Sequence, residues 1–306
     1  MAPTIDQMQL DAQSGQPLRA FTYLYRRSKK LRGYRTWVGI GLAVLGPLSS
    51  LISLTAAGVI GAAAALWVLI SRIVLIPAEK RRHRLAVRVH EQFDIRLFGL
   101  PWNNLVGPKP SHEDVVDAAN RLADDDPIAK QHRDGWYPST AGVPHPANVL
   151  IAQWSSVPYG RHMSWAYFQF LAGAVAIGFA TAVVIGVAAG SSLTEWLIIW
   201  AMPTLPALLD AAEVGDAHRR LAQKKEKVED ELIRPLWDKA LGGTGPTDGD
   251  CRRLQDELLH VRLNGVQVPE WFYWRRHDRS ELNMAQAAAE RVDSYKRRPT
   301  TSVGQP

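Results

Sequence analysis

Five arginines in the C-terminal third of the chain, Arg252, Arg253, Arg262, Arg275 and Arg276, are the side chains best suited to chemistry. A guanidinium offers a planar fork of donors that matches a phosphate or a carboxylate. The last two follow Trp271-Phe272-Tyr273-Trp274, and rings beside cations can stack a base or lie against lipid headgroups. Packing as core or at the membrane interface is the plainer use of those rings. The group therefore marks a candidate anionic-ligand region rather than a reaction centre.

Other candidates carry less. His83 and His90 stand seven residues apart and share a helix face, but on a basic helix a solvated pair is the default reading. The single cysteine, Cys251, excludes an intrachain disulfide and a thiolate zinc site. It lies on an apolar helical face with no nearby histidine partner, which argues against a nucleophile. Asp124, Asp125 and Asp126 are consecutive and cannot all turn toward one ion from a helix; before Pro127 they read as a helix end or loop. No phosphate-binding Walker loop, dinucleotide glycine pattern, G-x-S-x-G elbow or H-E-x-x-H pair occurs. The expectation is a chain without a metal site, a cofactor or enzymatic activity.

The elements that must hold these arginines are dominated by lipid-compatible runs. Trp37 to Ser71 is 35 residues without a charge, Met163 to Thr194 is 32, and Trp196 to Leu209 is 14 more, set off by Glu195 alone. About 20 apolar residues span a bilayer, so the first run is long enough for two short spans and the others supply two more. Expected spans are 36–54, 56–77, 165–189 and 194–212, with turns at Ser53 to Ala57 and at 190–195. Gly46-Pro47 is read as a kink inside the first span. The chain then divides into a segment 1–35, a transmembrane hairpin 36–77, a cytoplasmic part 78–164, a second hairpin 165–212, a second cytoplasmic part 213–296 and a disordered tail 297–306. The fold class expected is an all-α integral membrane protein, two transmembrane hairpins on a mostly helical cytoplasmic domain.

Charge sets the orientation. All 36 Lys and Arg fall in residues 1–36, 72–164 and 195–306, and the outer turns hold none. Basic loops stay in the cytoplasm, so both termini and the central segment are expected there. The net charge of +6 follows this topology, and no nucleic-acid polymer is expected as a partner. The N-terminus is polar through Ala20 and lacks a signal-peptide pattern. Trp37, Trp165, Tyr167, Trp196 and Trp200 sit where an interfacial aromatic belt would.

Three features inside the spans could serve function. Ala174, Gly178, Ala182, Gly186 and Gly190 recur every four residues along one helical face, which permits close helix packing within the chain or in a homo-oligomer. Arg72 and Asp210 are lone charges near the cytoplasmic ends of the second and fourth spans; they pair there or snorkel separately to the headgroups. Pro203 and Pro206 free backbone carbonyls, so the fourth span bends or breaks there, as a gate or as a packing kink.

In the cytoplasmic part, Leu85, Val89, Phe93 and Leu97 continue the second helix to about Leu97. Ser111 and Thr247 read as helix caps, residues 127–158 as a long loop, 213–239 as a charged extension of the fourth span, and 279–296 as a last helix.

Several strings resemble one family, the bacterial pore-forming effectors with four transmembrane helices associated with SMODS nucleotidyltransferases (S-4TM). They are Glu91-Gln92-Phe93-Asp94, Leu100-Pro101-Trp102-Asn103, Tyr137-Pro138, Arg253-Leu254-Gln255-Asp256 and Pro269-Glu270-Trp271-Phe272-Tyr273, with Glu281, Met284 and Glu290 after them. Ile151 and Gln153 also fit, whereas Ser156, Val157 and Pro158 depart from the family's polar block. The resemblance implies an effector of the bacterial inner membrane in nucleotide-signalled anti-phage defence. A cyclic nucleotide, or a partner that senses one, would trigger permeabilisation. A membrane-anchored scaffold whose cytoplasmic domain binds a partner is the alternative.

Overall fold

The computed structural model describes residues 4–50, 53–126, 135–197 and 201–298. All regular structure among them is helical. A capped first turn, α1 (Ile5–Gln9), leads into α2 (Ala12–Ser50). After a turn, α3 (Leu54–Ile70) passes through a wide π turn at Ser71–Leu75 into α4 (Ile76–Phe98). Ser53 caps α3, and Gly99 ends α4 at φ 67°, a left-handed conformation that glycine adopts without strain. Then come α5 (His112–Asn120), α6 (Ala147–Ala188), α7 (Leu193–Trp196) and α8 (Met202–Val228). A second π turn at Glu229–Ile233 joins α8 to α9 (Arg234–Leu241), followed by α10 (Asp248–Leu263) and α11 (Glu270–Lys296).

Burial inverts along single helices. In α6, Val149, Leu150, Ile151 and Ala152 are 0% exposed, whereas Ile177 and Val187 on the same helix are 69% and 76% exposed. The same change runs from Phe21 to Val44 in α2 and, in reverse, from Leu66 in α3 to Phe93 in α4. A 42-residue helix is about 63 Å long, twice the hydrocarbon thickness, so α6 has room for a lipid-facing half and a packed half. Two helical stretches, Gly58–Phe98 and Ala147–Ala188, are long and apolar enough to cross a membrane, and only 11% and 6% of their most apolar windows is buried. A core helix of a water-soluble protein would be mostly buried there. The apolar runs in α2 and in α7–α8 are shorter as described: α2 ends at Ser50, and residues 198–200, with Trp200, lie outside the described residues.

The packed ends form a base with three clusters. Phe21, Phe93 and Phe98 centre the first, between α2, α4 and α5; Leu150, Ile233 and Leu254 the second; Tyr167 and Phe272 the third. α6 lies along α8, α2 lies along α4 and also touches α8, and α11 crosses α6.

α2 runs unbroken through residue 35. Two expectations of local structure are corrected. Residues 147–158 are not loop: they open α6, with Pro158 inside it. The segment from Ala147 to Val157 is buried almost all round, so it carries no amphipathic stripe to announce a helix. The last helix begins at Glu270 rather than 279, after Pro269 as its cap. Pro203 stands in the first turn of α8, which directly follows Ala201 in a π turn, and Pro206 lies inside the same helix. Residues 127–134 and most of the tail, 299–306, fall outside the described residues.

Gly46 and Pro203 show how closely α2 approaches α8. Both are buried, and a methyl group at 46 would overlap the Pro203 ring. Gly46→Leu should therefore cost about 1–3 kcal/mol by overpacking. The check is the thermal midpoint of the detergent-solubilised protein; an unchanged midpoint would mean that these helices do not touch.

Candidate functional site

The membrane-side features meet partners within the chain. Gly186 is buried against Trp196, whose indole Nε1 donates to the Ala182 carbonyl oxygen at 2.9 Å. A side chain at 186 would overlap that indole, and one at Gly178 would touch Leu208 of α8. Three of the five small positions thus face the fourth apolar segment, while Ala174 and Gly190 are exposed. Gly190 turns the chain at φ 64°. Arg72 and Asp210, read as a pair or as two separate charges, each have a carboxylate or guanidinium partner on a neighbouring element. Asp210 pairs with Arg35 at 3.4 Å, and Arg72 pairs with Glu213, one helical turn farther along α8. α2 runs unbroken from Ala12 to Ser50 and brings Arg35 to Asp210.

Below the spans lies a buried polar seam between α4 and α10. Tyr137 Oη donates to Asp94 Oδ1 at 2.7 Å. Gln255 Nε2 donates to Glu91 Oε2 at 2.7 Å and to Asp94 Oδ2 at 3.0 Å. Arg262 pairs with Asp94, and Arg252 with Glu91 and Asp256, both at 2.9 Å. Arg252 also donates to the Pro101 carbonyl at 2.7 Å, and Asn103 Nδ2 to Asp256 Oδ1 at 2.7 Å. Gln153 Nε2 reaches the Cys251 carbonyl and Gln255 Oε1 at 2.9 and 3.0 Å. The spacing of α4, i and i+3, puts Glu91 and Asp94 on one face, and α10 meets them with Arg252, Gln255 and Arg262. Four of the strings noted in the sequence, with Gln153, converge on this seam.

Its electrostatics are those of a closed ion cluster. Burial pushes the Asp94 carboxyl up, but Arg262, His90 and the Tyr137 hydroxyl outweigh it and hold it below the usual carboxylate range. Glu91 is pushed above that range by burial and by Asp94. Arg252 is committed here to Glu91 and Asp256, and Arg262 is held by Asp94 on one side. Arg253, Arg275 and Arg276 are exposed elsewhere, Arg276 over the Phe272 ring. Of the five arginines, Arg262 alone reaches a cavity.

That cavity, of about 220 Å³, lies against the seam between α6, α8, α10 and α11. Trp136, Tyr159 and Tyr273 supply rings to its wall; Lys225 and Arg262 supply cations. Tyr159 Oη lies 3.1 Å from His277 Nδ1, whose other nitrogen lies 3.0 Å from Glu281. The Lys225 ammonium has no hydrogen-bond or ion-pair partner among the described residues, and its head fills the space a side chain at Gly160 would need. Burial, then the Arg262 charge, lowers its pKa to about 8, so it remains a cation at neutral pH. Burial pushes Tyr159 and Tyr137 up, and Cys251 up to about 12, leaving none of the three activated for attack.

Lys225, Tyr159 and the base of the cavity were missed in the sequence. The run Lys224-Lys225-Glu226-Lys227 reads as a solvated face. The available signal was the stripe Gly215, His218, Ala222, Lys225 and Glu229, at steps of three and four, small residues and one histidine in a charged helix. His218 on that stripe is fully buried against Tyr167, and burial lowers its pKa to about 3, so it is neutral. Of the other candidates, His83 is bonded to the Arg262 carbonyl, His90 is stacked on Phe21, and Asp124 and Asp126 pair with Arg19 and Arg26. No group of three or more metal-ligating side chains occurs among the described residues.

Comparison with known proteins agrees with this architecture. A protein of Bacillus cereus strain VD146 described as "Probable CBASS effector molecule" is 25% identical over 280 residues, covering 88% of this chain and 92% of its own. No solved structure matches. The family pattern of the SMODS-associating 4TM effector domain matches residues 3–291. The chain, with its long apolar helices rooted in a helical base, belongs to the SMODS-associating 4TM effector family.

Proposed function

We propose that this chain is an effector of CBASS anti-phage defence that permeabilises the bacterial inner membrane when a nucleotide signal reaches its cytoplasmic base. Four spans cross the bilayer as two hairpins, with both termini and residues 78–164 in the cytoplasm. One observation carries the reading: α2, α3–α4, α6 and α8 each run unbroken from a lipid-suited end to a buried base, so a change in the base moves the spans directly. Family membership and the CBASS relative support the setting. Four helices enclose little space, so the conducting form is a homo-oligomer, with Ala174, Gly190 and the exposed aliphatic faces of α6 available between chains. The chain acts by binding and rearrangement rather than by catalysis.

The test is dye release from liposomes holding the purified protein, with membrane potential followed in cells expressing it during infection. Release and depolarisation are expected only with the trigger. Intact membranes with retained phage protection, above all after deletion of the spans, would assign the chain a scaffolding role instead.

A further inference from the structure

We propose that the cavity between α6, α8, α10 and α11 is the ligand site of this effector and takes one nucleotide unit, a phosphate on Lys225 and Arg262 and a base among the rings of Trp136, Tyr159 and Tyr273. The inference rests on the effector reading above and assigns the place where the signal enters.

The chemistry of the wall selects the ligand. Lys225 and Arg262 converge on the cavity; Arg262 keeps its pair with Asp94 and the Glu281 carboxylate in the wall is bound to His277, so the Lys225 ammonium, with no carboxylate committed to it, is the group that calls for an anion. Three aromatic rings call for a planar partner, and Tyr159 and Tyr273 stand 6.3 Å apart at 61°, presenting a face and an edge rather than a closed stack. Phosphate beside a planar aromatic system is the composition of a nucleotide. Gly160 fits this role, because its missing side chain is what lets the Lys225 head enter.

Position excludes lipid. Lys225 lies fifteen residues beyond Asp210 on the same continuous helix, about 22 Å along its axis. Headgroup regions extend only about 5–8 Å beyond each face of the hydrocarbon, so a phospholipid phosphate does not reach it. Size limits the ligand further. A cavity of about 220 Å³ is below the usual range of small-molecule sites, roughly 300–1,000 Å³, so it holds a single unit of an oligonucleotide ring and leaves the rest at the opening.

The site also has leverage. Tyr159 belongs to α6 and Lys225 to α8, the pair that continues upward as the second hairpin. A phosphate between Lys225 and Arg262 relieves their repulsion and draws α8 toward α10. Binding energy is thereby coupled to the two helices that enter the bilayer.

The experiment uses the full-length protein in detergent. Fluorescent cyclic di- and trinucleotides form one arm and linear ATP and GTP the other, so that a signalling ring is distinguished from ordinary cellular nucleotides. At least one cyclic species should bind more tightly than the linear ones. Lys225→Ala should weaken it roughly ten- to a hundredfold, the usual loss for one charge-assisted bond, and Lys225→Arg should restore part of it. Gly160→Leu should abolish binding with the thermal midpoint of the unliganded protein retained. Arg275→Ala with Arg276→Ala should leave binding unchanged. Binding that survives Lys225→Ala and Gly160→Leu in folded protein would place the ligand elsewhere and overturn this assignment alone. Tighter binding of the linear species, or no nucleotide binding at all, would also overturn it, whereas the effector reading fails separately, in cells whose membrane potential holds throughout infection.

Discussion

Asp94→Ala should destabilise the folded chain by about 3–5 kcal/mol, the cost of removing one partner from a buried ion pair. Asp94 is fully buried, and its loss leaves the Arg262 guanidinium, the Tyr137 hydroxyl and one Gln255 donor without their acceptor. At roughly 2–4 °C per kcal/mol, the thermal midpoint should fall by on the order of 10 °C. The asymmetry is the informative part. Replacing both partners, Asp94→Leu with Arg262→Met, removes the orphaned charge along with the pair and should recover most of the loss. A double variant no more stable than the single one would mean that the seam is held by its neutral hydrogen bonds.

Acid should act through the same residue with a defined sign. The folded Asp94 carboxyl is held below its unfolded value, so its contribution is complete above the ordinary aspartate range and is lost as pH falls through the folded value. Glu91, raised above its unfolded value, has the opposite sign: its ionised form carries a penalty that protonation relieves. Mild acid should already destabilise the fold, because buried His218 stays neutral with its pKa lowered to about 3 while the unfolded histidine takes up a proton below its ordinary value; the loss of Asp94 adds to this below the usual carboxylate range.

The two long apolar helices were legible because they leave a coarse record: uncharged runs of 35 and 32 residues. Caps at Ser111 and Thr247 were legible for a local reason, since each side chain bonds the backbone three residues on. Residues 147–157 were not legible as helix, because a segment buried on all sides has no face to repeat and Pro158 suggests an end. The cavity was illegible for a different reason. Lys225 owes its chemistry to Gly160, Arg262 and Tyr159, which are remote in sequence and meet it only through the crossing of α6, α8 and α10. Arg72 and Asp210 could be placed at similar depth from the sequence, but their partners depended on how far α2 and α8 continue past the membrane.

Those partners set the second large effect. Asp210→Asn should raise the resting leak of the reconstituted protein without any trigger. Where its apolar end meets the base, α8 is joined to α2 by Asp210 and Arg35, and to the π turn after α3 by Glu213 and Arg72. The two joints are unequal. The Arg35 side chain is 8% exposed, so losing Asp210 strands a charge in a poorly solvated position, a cost of about 3–5 kcal/mol at its upper limit. Arg72 and Glu213 are about half exposed, and such a pair contributes about 0–1 kcal/mol. If the joints exist only in the closed form, the open-to-closed ratio should rise by up to roughly a hundred- to a few-thousandfold for Asp210→Asn, and less than about tenfold for Glu213→Gln. Arg35→Met added to Asp210→Leu should close the leak again, since an apolar pair of similar bulk can hold the same contact. Single-channel or dye-flux traces compare the three variants with the parent at equal protein-to-lipid ratio. Resting traces of Asp210→Asn indistinguishable from the parent, in protein shown to be folded, would mean that the charged mouth takes no part in keeping the spans closed.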